Sequence, residues 1–220
     1  MSGVTVETVR TVDPVSSTEV KLALRIPTSD TTHDDLIGDV LQAATETVQN
    51  YLQRTLTKET LKLSLDAIPY QDDMLPQVEG LTTGPYLTRV ARSVTLPRPP
   101  LTSVTSVKTY TDDDTATTMA SSTYYVDTAS EIGRVVLRTG STWGSMLRVA
   151  NALEVVYIAG YGTAATDVPK PIRQAITNLA VNYFENPEPQ IKGETSTIVS
   201  GILHSNLRPY RVSRFGIGYN

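Results

Sequence analysis

The sequence predicts an α+β protein: a small helical bundle carrying a large antiparallel β insertion between its second and third main helices. Three observations predict it. The β-branched and aromatic run from Leu153 to Ala159 closes at Gly160 and Gly162, and is followed by Ile172, Ala175, Ile176, Leu179, Ala180 and Tyr183 at spacings of three and four. That is a strand, a glycine loop and a helix with one apolar stripe. An earlier stretch has the same helical spacing in Ile37, Leu41, Ala44, Val48 and Tyr51, and between the two helices Leu61, Leu63 and Leu65 alternate with polar residues at the strand period of two. The expected organisation is therefore N-terminal core helices over 1–56, a β region over 57–160, and C-terminal core helices with a basic tail over 161–220.

In chain order, Ser16 or Ser17 can cap a short helix through Val20, Leu22 and Leu24 that Pro27 stops. Thr32 with Asp35 resembles a capping box, and Asp34 adds negative charge at the positive end of the next helix dipole. That helix runs to about Arg54, with Val40 and Leu52 beside its stripe, and the Ile172 to Phe184 helix is its expected partner. Pro69 to Arg89 reads as a long surface loop. Val94 to Leu96 is extended, and Leu96-Pro-Arg-Pro-Pro-Leu101 must lie at a sheet edge or crossing, because proline donates no ladder hydrogen bond. Val104 to Tyr110, a turn at Asp112 to Asp114, and Tyr124 to Val126 read as neighbouring antiparallel strands; Val135 to Leu137 is another, and Trp143 lies in a loop. Asn186-Pro187 ends the last main helix, a further helix is expected around Ile198 to Ser205, and a tail follows.

With 40% hydrophobic and 19% charged residues, the chain can bury a core. No apolar run approaches the roughly 20 residues of a membrane span, and Met1 to Glu7 lacks the features of a signal peptide, so a cytosolic protein with no membrane partner is expected. The absence of cysteine removes disulfides and thiolate chemistry, and two distant histidines leave little for a metal. A net charge of -4 argues against a broad nucleic-acid grip. The charge is uneven: from residue 170 onward six basic residues face three acidic ones, about +3, which leaves about -7 for the rest.

Gly160-Tyr-Gly-Thr-Ala-Ala165 fits a dinucleotide-binding string, but Asp167, Pro169 and Pro171 push the helix start downstream of where a phosphate would meet it, so no cofactor is expected. Asp112 to Asp114 lacks the glycine and distal glutamate of a calcium loop and reads as a solvated turn. His33 and His204 have no nucleophile elbow to serve, Pro97 to Pro100 satisfies P-x-x-P between strands, and Trp143 is a packing anchor. No catalytic or metal-binding residue is assigned. The basic aromatic tail is the candidate partner-binding site: Arg208, Tyr210, Arg211, Arg214 and Phe215 are of the types that dominate protein interfaces, although a frayed terminus would look the same.

The order of pieces is similar to a known family. Val20-Lys-Leu-Ala-Leu-Arg-Ile26, Asp34-Asp-Leu-Ile37 leading to Val48-Gln-Asn-Tyr51, Leu96-Pro-Arg-Pro-Pro-Leu101 with Ser103-Val and Ser106-Val-Lys108, Ala159-Gly-Tyr-Gly162 before Val168-Pro169, and Leu207-Arg-Pro-Tyr-Arg-Val-Ser-Arg-Phe215 resemble the head-tail connector (adaptor) proteins of long-tailed bacteriophages, prophages and gene transfer agents. The resemblance runs from about Val20 to Phe215; the segment from Tyr70 to Arg92 is longer than the family pattern. It implies a non-enzymatic virion protein that forms a dodecameric ring under the portal protein, extends the DNA channel and docks a stopper or tail-completion protein. It also implies a place in the virion neck, with host cytoplasm during assembly and only non-specific contact with passing DNA. On this reading the tail from Leu207 docks on the portal, and removing 207–220 leaves a folded protein unable to bind it. Another virion ring protein, such as a tail terminator or stopper, is the nearest alternative; a small hydrolase or ligand-binding enzyme using Asp112 to Asp114 or a pocket near Trp143 is the more distant one.

Overall fold

The computed structural model describes residues 2–66, 92–144, 147–186, 201 and 207–212. The chain forms two compact units, one from 1–9 with 59–159 and the other from 10–58 with 160–220. The expected loop from Pro69 to Arg89 lies outside the described residues, as does the helix expected around Ile198 to Ser205 except for Gly201.

The first unit is built from two antiparallel sheets. Five strands, β1 (Ser2–Thr8), β2 (Glu59–Leu65), β4 (Leu101–Tyr110), β5 (Ala116–Thr118) and β8 (Leu153–Ala159), pair in the order β1-β2-β8-β4-β5. Three more, β3 (Ser93–Thr95), β6 (Tyr124–Asp127) and β7 (Arg134–Leu137), pair in the order β3-β7-β6. β8 is central, which explains its nearly continuous apolar sequence: Leu153, Val155, Val156, Tyr157 and Ala159 are all buried. Leu61 and Leu63 of β2 and Val107 of β4 pack with it, together with Val94, Leu96, Tyr124, Val135, Leu137 and Trp143. The proline run from Leu96 to Leu101 is the crossing between sheets. Arg98 turns there at φ 60, and the buried Tyr157 hydroxyl donates to the Pro97 carbonyl at 2.7 Å.

The N-terminus departs from the helical expectation for 1–56: Ser2–Thr8 is a strand paired with β2 from Ser2 opposite Leu65 to Thr8 opposite Thr60. Its apolar alternation is only Val4 and Val6, a short signal, and neither is fully buried: Val4 is half-buried and Val6 is 46% exposed. Similarly, Val104 to Tyr110 and Tyr124 to Val126 are not neighbours. After the Asp112 turn the chain first lays down β5 against β4, and β6 pairs with β7 in the other sheet. β5 was invisible because Ala116, Thr117 and Thr118 are all exposed and lack any apolar alternation.

The second unit holds three main helices, α1 (Ser17–Ala23), α2 (Asp34–Leu52) and α3 (Lys170–Glu185). Ser16 caps α1, its hydroxyl accepting from Glu19 N–H while the Glu19 carboxylate accepts from Ser16 N–H. The matching box expected at Thr32 and Asp35 does not form. The Asp30 carboxylate instead captures both the N–H and the hydroxyl of Thr32, at 2.9 and 2.6 Å, and α2 begins behind His33. Local aspartate turns compete with capping in this way. Ile37, Leu41, Ala44, Val48 and Leu52 of α2 bury against Ile172, Ala175, Ile176, Leu179 and Ala180 of α3, with Val15, Val20, Leu56 and Val168 closing the cluster. The Lys21 ammonium is buried against the Asp30 carbonyl at 2.7 Å and pairs with the Asp34 carboxylate. Among the described residues no helix is long and apolar enough to cross a membrane.

Candidate functional site

The C-terminal segment begins as core. Leu207 is fully buried in the helical cluster, and Arg208–Tyr210 then make one 3₁₀ turn closed by Arg211 N–H on the Arg208 carbonyl at 3.3 Å. What holds this turn is the end of α2. A helix leaves its last carbonyls without intrahelical donors. Here Gln53 turns left-handed at φ 55, and Arg54 N–H reaches back to the Gln49 carbonyl in the six-to-one bond of a Schellman ending. The Gln53 side chain covers the Asn50 carbonyl at 2.7 Å, and Val212 N–H covers that of Leu52 at 3.1 Å.

The clamp is reciprocal, because Arg54 donates its Nε–H to the Tyr210 carbonyl while the Arg211 guanidinium lies 5.2 Å from the Tyr51 ring centre. Neither cation lies within the last turn of α2, but both gather at its negative end, where positive charge is favoured. Arg208 and Arg211 stay exposed and Tyr210 is half-buried. The structure thus brings Arg208, Tyr210 and Arg211 together on one anchored turn, while Arg214 and Phe215 lie outside the described residues. The frayed-terminus reading is overturned for 207–212, and so is the expectation that removing 207–220 spares the fold, since the deletion would take away a buried leucine and a helix cap.

The remaining sequence candidates serve the chain itself. In the Gly160 loop, Tyr161 N–H donates to the Leu56 carbonyl at 2.9 Å and Ala164 N–H to the Asp167 carboxylate at 2.9 Å, so these amides face protein acceptors, not a phosphate. α3 starts at Lys170, well downstream. In the acidic turn, the Thr111 hydroxyl and Thr115 N–H both donate to Asp113 Oδ1, holding its carboxyl below the usual range, and Asp114 pairs with Arg148 at 3.0 Å. Arg148 also stacks 4.1 Å from the Tyr110 ring centre and donates to the Asn151 carbonyl. Trp143 is buried in the β core, and His33 sits edge-on to Phe184 at 5.8 Å. His204 lies outside the described residues. No group of three or more potential metal ligands converges among the described residues.

Sequence reasoning missed two nodes. Arg173 of α3 donates to the Pro14 carbonyl at 3.0 Å and pairs with Glu19, tying α3 to the lead-in of α1 beside a polar groove of about 480 Å³ lined partly by Lys170 and Gln174. Arg54 is the other. Neither carries a sequence signal, since each arginine acts on a carbonyl more than 150 residues away, with separations of 159 and 156.

The distinctive side chains therefore brace the chain's own backbone and leave Arg208 and Arg211 exposed at one surface turn. Residues 15–208 match the model of the head completion protein family, and the chain belongs to that family. Its role is a structural, non-enzymatic one in completing a virion head; the hydrolase alternative is discarded. Three solved structures share the fold. A chain from the neck of an empty gene transfer agent particle, computed with C6 symmetry, is 19% identical with a TM-score of 0.70 and 98% of each chain covered. One from the virion of a native gene transfer agent particle is 18% identical with a TM-score of 0.71 and the same coverage. A third, from the neck of a native particle computed with C12 symmetry, is 19% identical with a TM-score of 0.63, covering 97% of this chain and 98% of that one. No curated protein sequence gives a significant match.

Proposed function

We propose that the protein is a connector of the virion neck, assembled as a ring of identical copies beneath the portal protein, where it extends the DNA channel and presents a seat for a stopper or tail-completion protein. The observation that carries the portal contact is the anchored turn at 207–212, which holds Arg208 and Arg211 exposed and in register on the end of α2. Anchoring lowers the ordering cost that a free tail would incur on binding, and arginine is over-represented where interfaces concentrate their energy. Likeness of fold to chains in particle necks supports the location. The acidic remainder of the chain supports the channel role: a negative wall repels the DNA backbone and lets it slide, whereas a basic one would hold it.

The test is charge reversal at Arg208, an exposed side chain that the clamp does not use. Arg208→Glu, checked for native circular dichroism, should weaken co-sedimentation with portal at least tenfold, a loss of about 1.4 kcal/mol that an exposed interface arginine can carry. Wild-type binding by the folded variant would refute the assignment of portal docking to this turn.

A further inference from the structure

The five-stranded sheet has two free edges among the described residues, and they differ. β1 is seven residues long, pairs only with β2, and carries no proline and no charge from Ser2 to Val6. Proteins ordinarily blunt such an edge, since its unpaired N–H and C=O groups are a template for another strand. The opposite edge, β5, is exposed at all three residues, and backbone bonds at Thr115 and Met119 extend its pairing on β4 to a five-residue stretch. Residues 115–118 are also uncharged. Every neighbouring pair in the sheet is antiparallel, and with five strands the two edges therefore run in the same direction.

We propose that β1 of one copy adds to β5 of the next, so that the sheet continues from subunit to subunit. This rests on the ring reading above. A heterologous contact repeated by rotation closes a ring, and rotation about an axis along the strands preserves strand direction, so β1 meets β5 in parallel. Charge favours that sense. Glu7 lies at the far end of β1 and Asp112 to Asp114 at the near end of β5, so parallel pairing puts the carboxylates at opposite ends; antiparallel pairing would set Glu7 beside them, where like charges repel.

The chain has no cysteine, so introduced thiols report without background. Thr5 and Thr117 are both exposed. Full-length Thr5→Cys/Thr117→Cys protein, assembled on portal particles and treated with a short thiol-to-thiol crosslinker, should give a ladder of covalent multimers on a denaturing gel, while each single variant gives none. Rings visible by electron microscopy without a ladder would overturn the edge pairing and leave the connector reading standing. Dimers from Thr5→Cys alone would overturn it in favour of a two-fold β1 contact. If the wild-type chain forms no ring on portal, the connector reading falls first and this inference falls with it.

Discussion

Gly160 has little freedom to change. It sits at φ 131, and a Cβ there would come within 2.6 Å of the Thr57 carbonyl group, so Gly160→Ala combines a forbidden backbone conformation with a clash against main chain. Each fault costs on the order of 1–3 kcal/mol, and together they should lower the urea unfolding midpoint by the equivalent of about 2–6 kcal/mol. A variant as stable as wild type would mean that the loop does not constrain this site. Asp127 gives a pH signature. It accepts from the Ser130 hydroxyl and from Arg134 Nε at 2.9 Å, with further support from the Ala129 and Ser130 amides, and these hold its pKa down to about 2. A carboxylate depressed in the folded state stabilises above its unfolded pKa and loses that contribution as pH falls through the folded one. Asp127→Asn should therefore be less stable than wild type at about pH 6, with the gap closing between about pH 4 and pH 2. A gap independent of pH would show that the carboxylate's charge is not what matters.

Among the elements, the short turn after Leu207 is the most consequential, because it caps a helix and is the docking surface proposed above. Leu207→Ala should cost roughly 2–5 kcal/mol by the usual scale for a buried leucine, seen as a lower melting temperature; a change below about 0.5 kcal/mol would place the segment outside the core. The strands and helices with a buried face were legible in the sequence. β8 was read to the residue, and α2 and α3 followed from stripes that bury against each other. β1 and β5 were not: β1 alternates only through Val4 and Val6, too short a run to mark a strand, and β5 is exposed at all three residues. The Thr32 box failed for a local reason, a nearer aspartate that took the donors. The candidate site was legible only as composition, Arg and Tyr near the end of the chain; its anchoring by Arg54 and Val212 depends on contacts across 156 and 160 positions.

For the whole molecule, the family sets the structural role and the fold explains how one chain can perform it. The helical unit carries the anchored cationic turn, and among the described residues the five-stranded sheet has two free edges of matched direction. Acidic charge dominates most of the sequence and basic charge its end, the division that the proposed channel and docking roles call for. The central claim is that copies of this chain close into a ring against the portal. It is tested most directly by electron microscopy of the purified protein alone and mixed with portal particles. The account predicts rings coaxial with the portal in the mixture; a protein that stays monomeric and unbound in both samples would contradict it.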